Sequence, residues 1–63
     1  MRRGTKVTIN VENISQAVKD MMSSFQRFNE ATVTNWNKES QRVQVKWFGQ
    51  DPMWFDRDQV AKV

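Results

Sequence analysis

Asp56 and Asp58 are the one closely spaced acidic pair in this 63-residue chain, so any general acid/base chemistry would have to rest on them. The chain has no His, no Cys and no Tyr, and only two Gly. The usual base, the usual nucleophiles, zinc ligands, disulfides and a glycine-rich phosphate loop are therefore all missing. Asp56 with Gln59 three residues on reads more simply as a helix cap, and Asp58 as a solvated acid in the first turn. Asp51, Asp56 and Asp58 have no further acidic neighbours in sequence to complete an oxygen site for magnesium or calcium. The chain is expected to be a non-enzymatic binding domain without metal or cofactor.

A second set of residues suits binding. Lys6, Arg42 and Lys46 are cationic, Trp36 and Phe48 are aromatic, and all five are candidates for a nucleic-acid or partner surface. Single strands are held where bases stack on exposed rings and Lys or Arg neutralises phosphates. The formal net charge is +3, from ten basic and seven acidic residues. The excess lies in residues 1 to 11 and 31 to 50, whereas 12 to 30 and 51 to 63 are each slightly acidic.

The elements that position these side chains follow from periodicity. Residues 5 to 11 alternate, with Val7, Ile9 and Val11 on one face and Lys6, Thr8 and Asn10 on the other, as a half-buried strand does. Ile14, Ala17, Val18, Met21, Met22, Phe25 and Phe28 then recur at helical spacing, which predicts one amphipathic helix over 14 to 29 whose apolar stripe is core. Asn13 is its expected N-cap, with Gln16 as capping-box partner. Strands are expected at 31 to 36, 41 to 48 and 53 to 55, the last an edge beside Pro52, with a helical turn at 57 to 61.

In the hairpin of residues 31 to 48, matching faces require Val33 opposite Val45 and Ala31 opposite Trp47. A three-residue loop at Lys38 to Ser40 then sets Thr32 opposite Lys46, Thr34 opposite Gln44, and Trp36 opposite Arg42 as a cation–π pair. Trp54 is expected to face Trp47. With the helix on the face of Val7, Ile9, Val33, Val45 and Trp47, the opposite face displays Lys6, Thr8, Asn10, Thr32, Thr34, Trp36, Arg42, Gln44, Lys46 and Phe48, with Met53 and Phe55 nearby. In a five-stranded barrel, Trp36, Phe48 and Phe55 would instead fill a second part of the core.

Val43-Gln44-Val45-Lys46-Trp47-Phe48, the Gly49 turn, Met53-Trp54-Phe55 and Asp58-Gln59-Val60 resemble the end of small Tudor-like or KOW-like barrels of the Src-homology-3 type. There, two strands are followed by a helical turn and a closing strand. The resemblance covers residues 31 to 63 and implies nucleic-acid or peptide binding. The helix between the first two strands departs from those barrels, where a long irregular loop stands. The expected fold class is therefore α+β: a small, mainly antiparallel sheet or partly open barrel of four to five strands with one amphipathic helix, in the order β-α-β-β-β.

Two functions follow: a nucleic-acid-binding module with a regulatory role, and a protein-interaction module or inhibitor of the kind phages and mobile elements encode. In the second, the aromatic and Arg patch is an interface hot spot. A homodimer contact is the third use of the same patch. No stretch has the length of a membrane span, and the basic start has no apolar run behind it. A cytoplasmic location without membrane contact is expected.

Overall fold

Val7 and Ile9 point inward and Lys6 and Thr8 outward, the alternation that defines β1 (Lys6–Ile9). The computed structural model describes residues 1–63. After a 3-10 turn at Val11–Asn13 come α1 (Gln16–Met21), α2 (Ser24–Phe28), β2 (Ala31–Asn37), β3 (Arg42–Lys46) and β4 (Met53–Asp56). A second 3-10 turn, Arg57–Gln59, leads into β5 (Val60–Lys62). The class is α+β, with one antiparallel sheet in the order β4-β3-β2-β1-β5.

Only the 3-10 turn separates β4 from β5, yet the two lie at opposite edges of that order. Four inter-strand spacings would cover about 19 Å in a flat sheet, more than the short turn can reach, so the sheet is strongly curled. Inside the curl, Val7, Ile9, Ala31, Val33, Val43, Val45, Trp47, Phe55 and Val60 are buried with Ile14 and Met22 from the helical segment. The expected core positions Val7, Ile9, Val33, Val45 and Trp47 are among them.

The single helix expected over 14 to 29 is two short ones. Ser15 caps α1, its Oγ accepting from the Val18 N–H, and Ser23 caps α2 in a capping box with Gln26. A second cap only eight residues after the first satisfies the orphan N–H groups of a new helix, and Met22 turns extended between them, dropping its side chain into the core. Asn13 is not the N-cap. Its Nδ2 donates to the Asp58 carbonyl and its own carbonyl accepts from Gln59 Nε2, stitching the two 3-10 turns together. The break also unmakes the expected stripe: Met22 is buried and Val18 packs against the core, but Met21, Phe25 and Phe28 are exposed.

In the β2–β3 hairpin, Val33 meets Val45 and Thr32 meets Lys46 as the face argument requires. Beyond Val33 a bulge at Thr34 shifts the register, so Asn35 meets Gln44, Trp36 meets Val43 and Asn37 meets Arg42. The expected Thr34–Gln44 and Trp36–Arg42 pairs are thus replaced, and the loop is Lys38 to Gln41 rather than Lys38 to Ser40. Polar side chains absorb the irregularity. Thr34 Oγ1 lies 3.3 Å from the Gln44 carbonyl and 3.1 Å from its Oε1, while Asn35 Oδ1 accepts from the Trp36 N–H at 2.9 Å. Asn37 Oδ1 accepts from the N–H groups of Glu39 and Ser40 to start the loop, which Gln41 closes with φ 55°.

In β4 the aromatic roles are exchanged. Phe55, expected near the outer face, is buried edge-on against Trp47, with ring centroids 6.3 Å apart at 78°. Trp54, expected to face Trp47, pairs with Gln44 and is exposed. Trp47 satisfies its indole N–H on the Asn29 carbonyl at 3.1 Å. The helical turn expected at 57 to 61 ends at Gln59, because Val60 and Ala61 pair with Ile9 and Thr8 as part of β5.

Candidate nucleic-acid interface

The convex face of the sheet is built from the outward residues of each strand. Lys6, Thr32 and Lys46 form one row across β1, β2 and β3, because Lys6 pairs with Thr32 and Thr32 with Lys46. The Lys6 ammonium donates to Thr32 Oγ1 at 2.7 Å, which fixes its position without neutralising it. Neither lysine has a carboxylate partner, since the one ion pair in the molecule joins Arg42 Nε to Asp56 Oδ1 at 3.3 Å.

Beside this row lies a shallow depression of about 330 Å³ lined by Lys6, Glu30, Thr32, Lys46, Trp47 and Phe48. Phe48 follows β3 by two residues and is wholly exposed, with 100% of its surface accessible. Exposing an entire phenyl ring costs about 1.5–3 kcal/mol relative to burying it, so a ring so placed is available to a ligand. Two cations against one carboxylate leave the depression positive.

One row further along, Trp54 pairs with Gln44, and beyond it Arg42 pairs with Asp56. Trp54 retains 40% exposure on the same side as Lys46, which is two residues from Gln44 in β3. Of the five residues singled out in sequence, Lys6, Lys46 and Phe48 therefore come together. Arg42 shares their face two rows away but is engaged by Asp56. Trp36 does not join them, because the bulge turns it to pair with buried Val43 and pack, half-buried, against the core. Trp54 takes the place on the outer face that Trp36 was expected to hold. Its signal was present in the sequence: Asp56 must face water, and Trp54 two residues earlier shares its side of the strand.

The second depression, about 440 Å³, is polar throughout and lined by Ser40, Gln41, Asp56, Arg57 and Asp58. It holds both members of the acidic pair, but Asp56 is committed to Arg42 and its N–H to Gln59 Oε1. No group of three or more Asp, Glu, His or Cys side chains converges anywhere in the molecule. No helix is long and apolar enough to cross a membrane. Comparison of the chain with protein-family models, with curated proteins and with solved structures finds no match.

Proposed function

We propose that this chain is a non-enzymatic nucleic-acid-binding module that takes a single strand across the convex face of its sheet. One observation carries the reading: unpaired Lys6 and Lys46 flank a shallow depression rimmed by a fully exposed Phe48. The lysines take successive phosphates, Phe48 and Trp54 stack on bases, and Gln44 and Thr32 supply hydrogen bonds that carry little sequence preference. A convex, shallow surface suits a strand whose bases can splay outward better than a duplex.

The fold reading that accompanies this function is a partly open barrel of the Src-homology-3 type, the Tudor-like or KOW-like class that the last half of the chain resembles. The strand order, the curl of the sheet and the 3-10 turn before β5 support it. The helical segment stands where those barrels carry an irregular loop. We place the module in the cytoplasm, where it acts without metal, cofactor or membrane.

The test is a titration of tryptophan emission with short single- and double-stranded oligonucleotides at low salt. The expected result is quenching by the single strand, weakened by Lys46→Ala and by Phe48→Ala with the thermal unfolding of the domain unchanged. If no oligonucleotide alters the emission or shifts any backbone amide of the outer face, the reading fails and a protein partner replaces the nucleic acid.

A further inference from the structure

Residues 16 to 30 leave three large apolar side chains in solvent, the densest such group in the molecule: Met21 is 76% exposed, Phe25 50% and Phe28 78%. Phe25 and Phe28 are three apart in α2 and share a side of that helix, and Met21 ends α1 just before it. Taking about 200 Å² for each whole side chain, they present roughly 400 Å² of apolar surface, the size of the largest patch on a typical monomer.

The charges around this patch indicate what covers it. Lys19, Asp20, Arg27 and Glu30 are two cations and two anions, and none is spent in an ion pair within the chain, whose one salt bridge is Arg42–Asp56. Arg27 stacks its guanidinium over the Phe28 ring at 5.9 Å, bonds only the Ser24 Oγ at 3.5 Å, and leaves its buried Nε without a partner. An even mixture of unpaired signs attracts neither a polyanion nor an anionic membrane, which select basic helices. It is self-complementary, however, when two copies meet about a two-fold axis, because each cation on one copy can then face an anion on the other.

We infer that the helical layer is a homodimer interface, in which Met21, Phe25 and Phe28 of two copies pack together inside a rim of Lys19, Asp20, Arg27 and Glu30. Two patches supply about 800 Å² of apolar area, and the rim brings the total into the lower range of specific interfaces, about 1,200 Å². The inference does not depend on the nucleic-acid reading: it uses the helical layer and leaves Lys6, Lys46 and Phe48 outside the contact, and the two surfaces meet only at Glu30, which also lines the depression beside those residues. It gives that reading a second binding face per particle and hence avidity for longer strands.

Sedimentation equilibrium across roughly micromolar to millimolar protein tests it. The expected mass rises with concentration from the 7.5 kDa of one chain to twice that value. Phe28→Glu, at a position that contributes little to the core, should stay at the mass of one chain throughout with its circular dichroism unchanged. Met21→Lys provides the same test independently should Phe28→Glu fold poorly. Phe48→Ala should dimerise as the parent does. A parent chain that keeps the mass of one copy at every concentration overturns the inference, as does a dimer that survives both Phe28→Glu and Met21→Lys. Loss of oligonucleotide binding with dimerisation intact would count against the nucleic-acid reading alone.

Discussion

Replacing Asp56 with Asn should strengthen oligonucleotide binding and steepen its salt dependence, because it releases Arg42. In the parent chain Lys6 and Lys46 are free, whereas Arg42 is held by Asp56 at 3.3 Å. A phosphate that recruited Arg42 would leave the Asp56 carboxylate unneutralised beside it, cancelling most of the counterion release. Two effective contacts at about −0.7 each give a slope of roughly −1.4 in log affinity against log salt, and freeing Arg42 takes it to roughly −2.1. Between about 50 and 200 mM salt the parent should lose affinity about sevenfold and the variant about eighteenfold. The Arg42–Asp56 pair is about half exposed on both sides, with side-chain accessibilities of 49% and 59%, so losing it should cost the fold little. Asn preserves the N–H that Gln59 Oε1 accepts and remains a good start to the 3-10 turn. Fluorescence anisotropy of a labelled oligonucleotide at four salt concentrations measures both slopes. A parent slope already near −2.1, or an Asp56→Asn slope equal to the parent's, would refute the sequestration of Arg42. A slope near zero in both would remove phosphate contacts altogether.

The burial of Phe55 and exposure of Phe25 predict opposite outcomes for the same change. Phe55→Ala should cost about 3–5 kcal/mol and leave most of the domain unfolded, whereas Phe25→Ala should cost only about 1 kcal/mol, both read by urea denaturation at a concentration where the chain is monomeric. Equal effects would contradict the break between α1 and α2. The two tryptophans flanking the core should separate in the same way. Trp36→Ala should lower the midpoint of thermal unfolding while the folded fraction binds oligonucleotide normally, and Trp54→Ala should leave unfolding nearly unchanged while weakening binding by roughly 1–3 kcal/mol, about 5- to 150-fold.

Where burial alternates with sequence, the fold is legible. Val7 and Ile9 in β1, and Val33 opposite Val45, are fixed by a period of two that admits one solution once a face is buried. Gln59 three residues after Asp56 likewise announces the turn that precedes β5. What misleads is any position where one backbone event inverts a face. Thr-Asn-Trp at 34 to 36 reads equally well with or without an extra residue, and the bulge that turns Trp36 inward is stabilised by side-chain hydrogen bonds from Thr34 and Asn35 that alternation does not register. The helical stripe fails for a similar reason. Helical spacing continues across Met22 and Ser23, but the Ser23–Gln26 capping box restarts the helix and changes the direction in which Phe25 and Phe28 point. Of the candidate site, the lysines and Phe48 were legible because charge and position after a strand place them outside. Trp54 was missed because Met53-Trp54-Phe55 offers an aromatic on either face, and only Asp56 breaks the tie.

The pairing of β1 with β5 joins Val7 to Lys62, almost the whole chain apart, and the Val63 N–H donates to the Lys6 carbonyl at 3.0 Å. During synthesis, β2, β3 and β4 can form their local meander as they leave the ribosome, but β1 keeps one bare edge until residue 60 and its successors have emerged. Closure is thus the late, entropically expensive step, of the kind that slows folding of small β-rich domains to milliseconds or longer. A chain arrested before Val60 would present the unpaired edge of β1, Lys6–Ile9, as a template for other strands, and the lysine at its start is the one charge on that segment to discourage them.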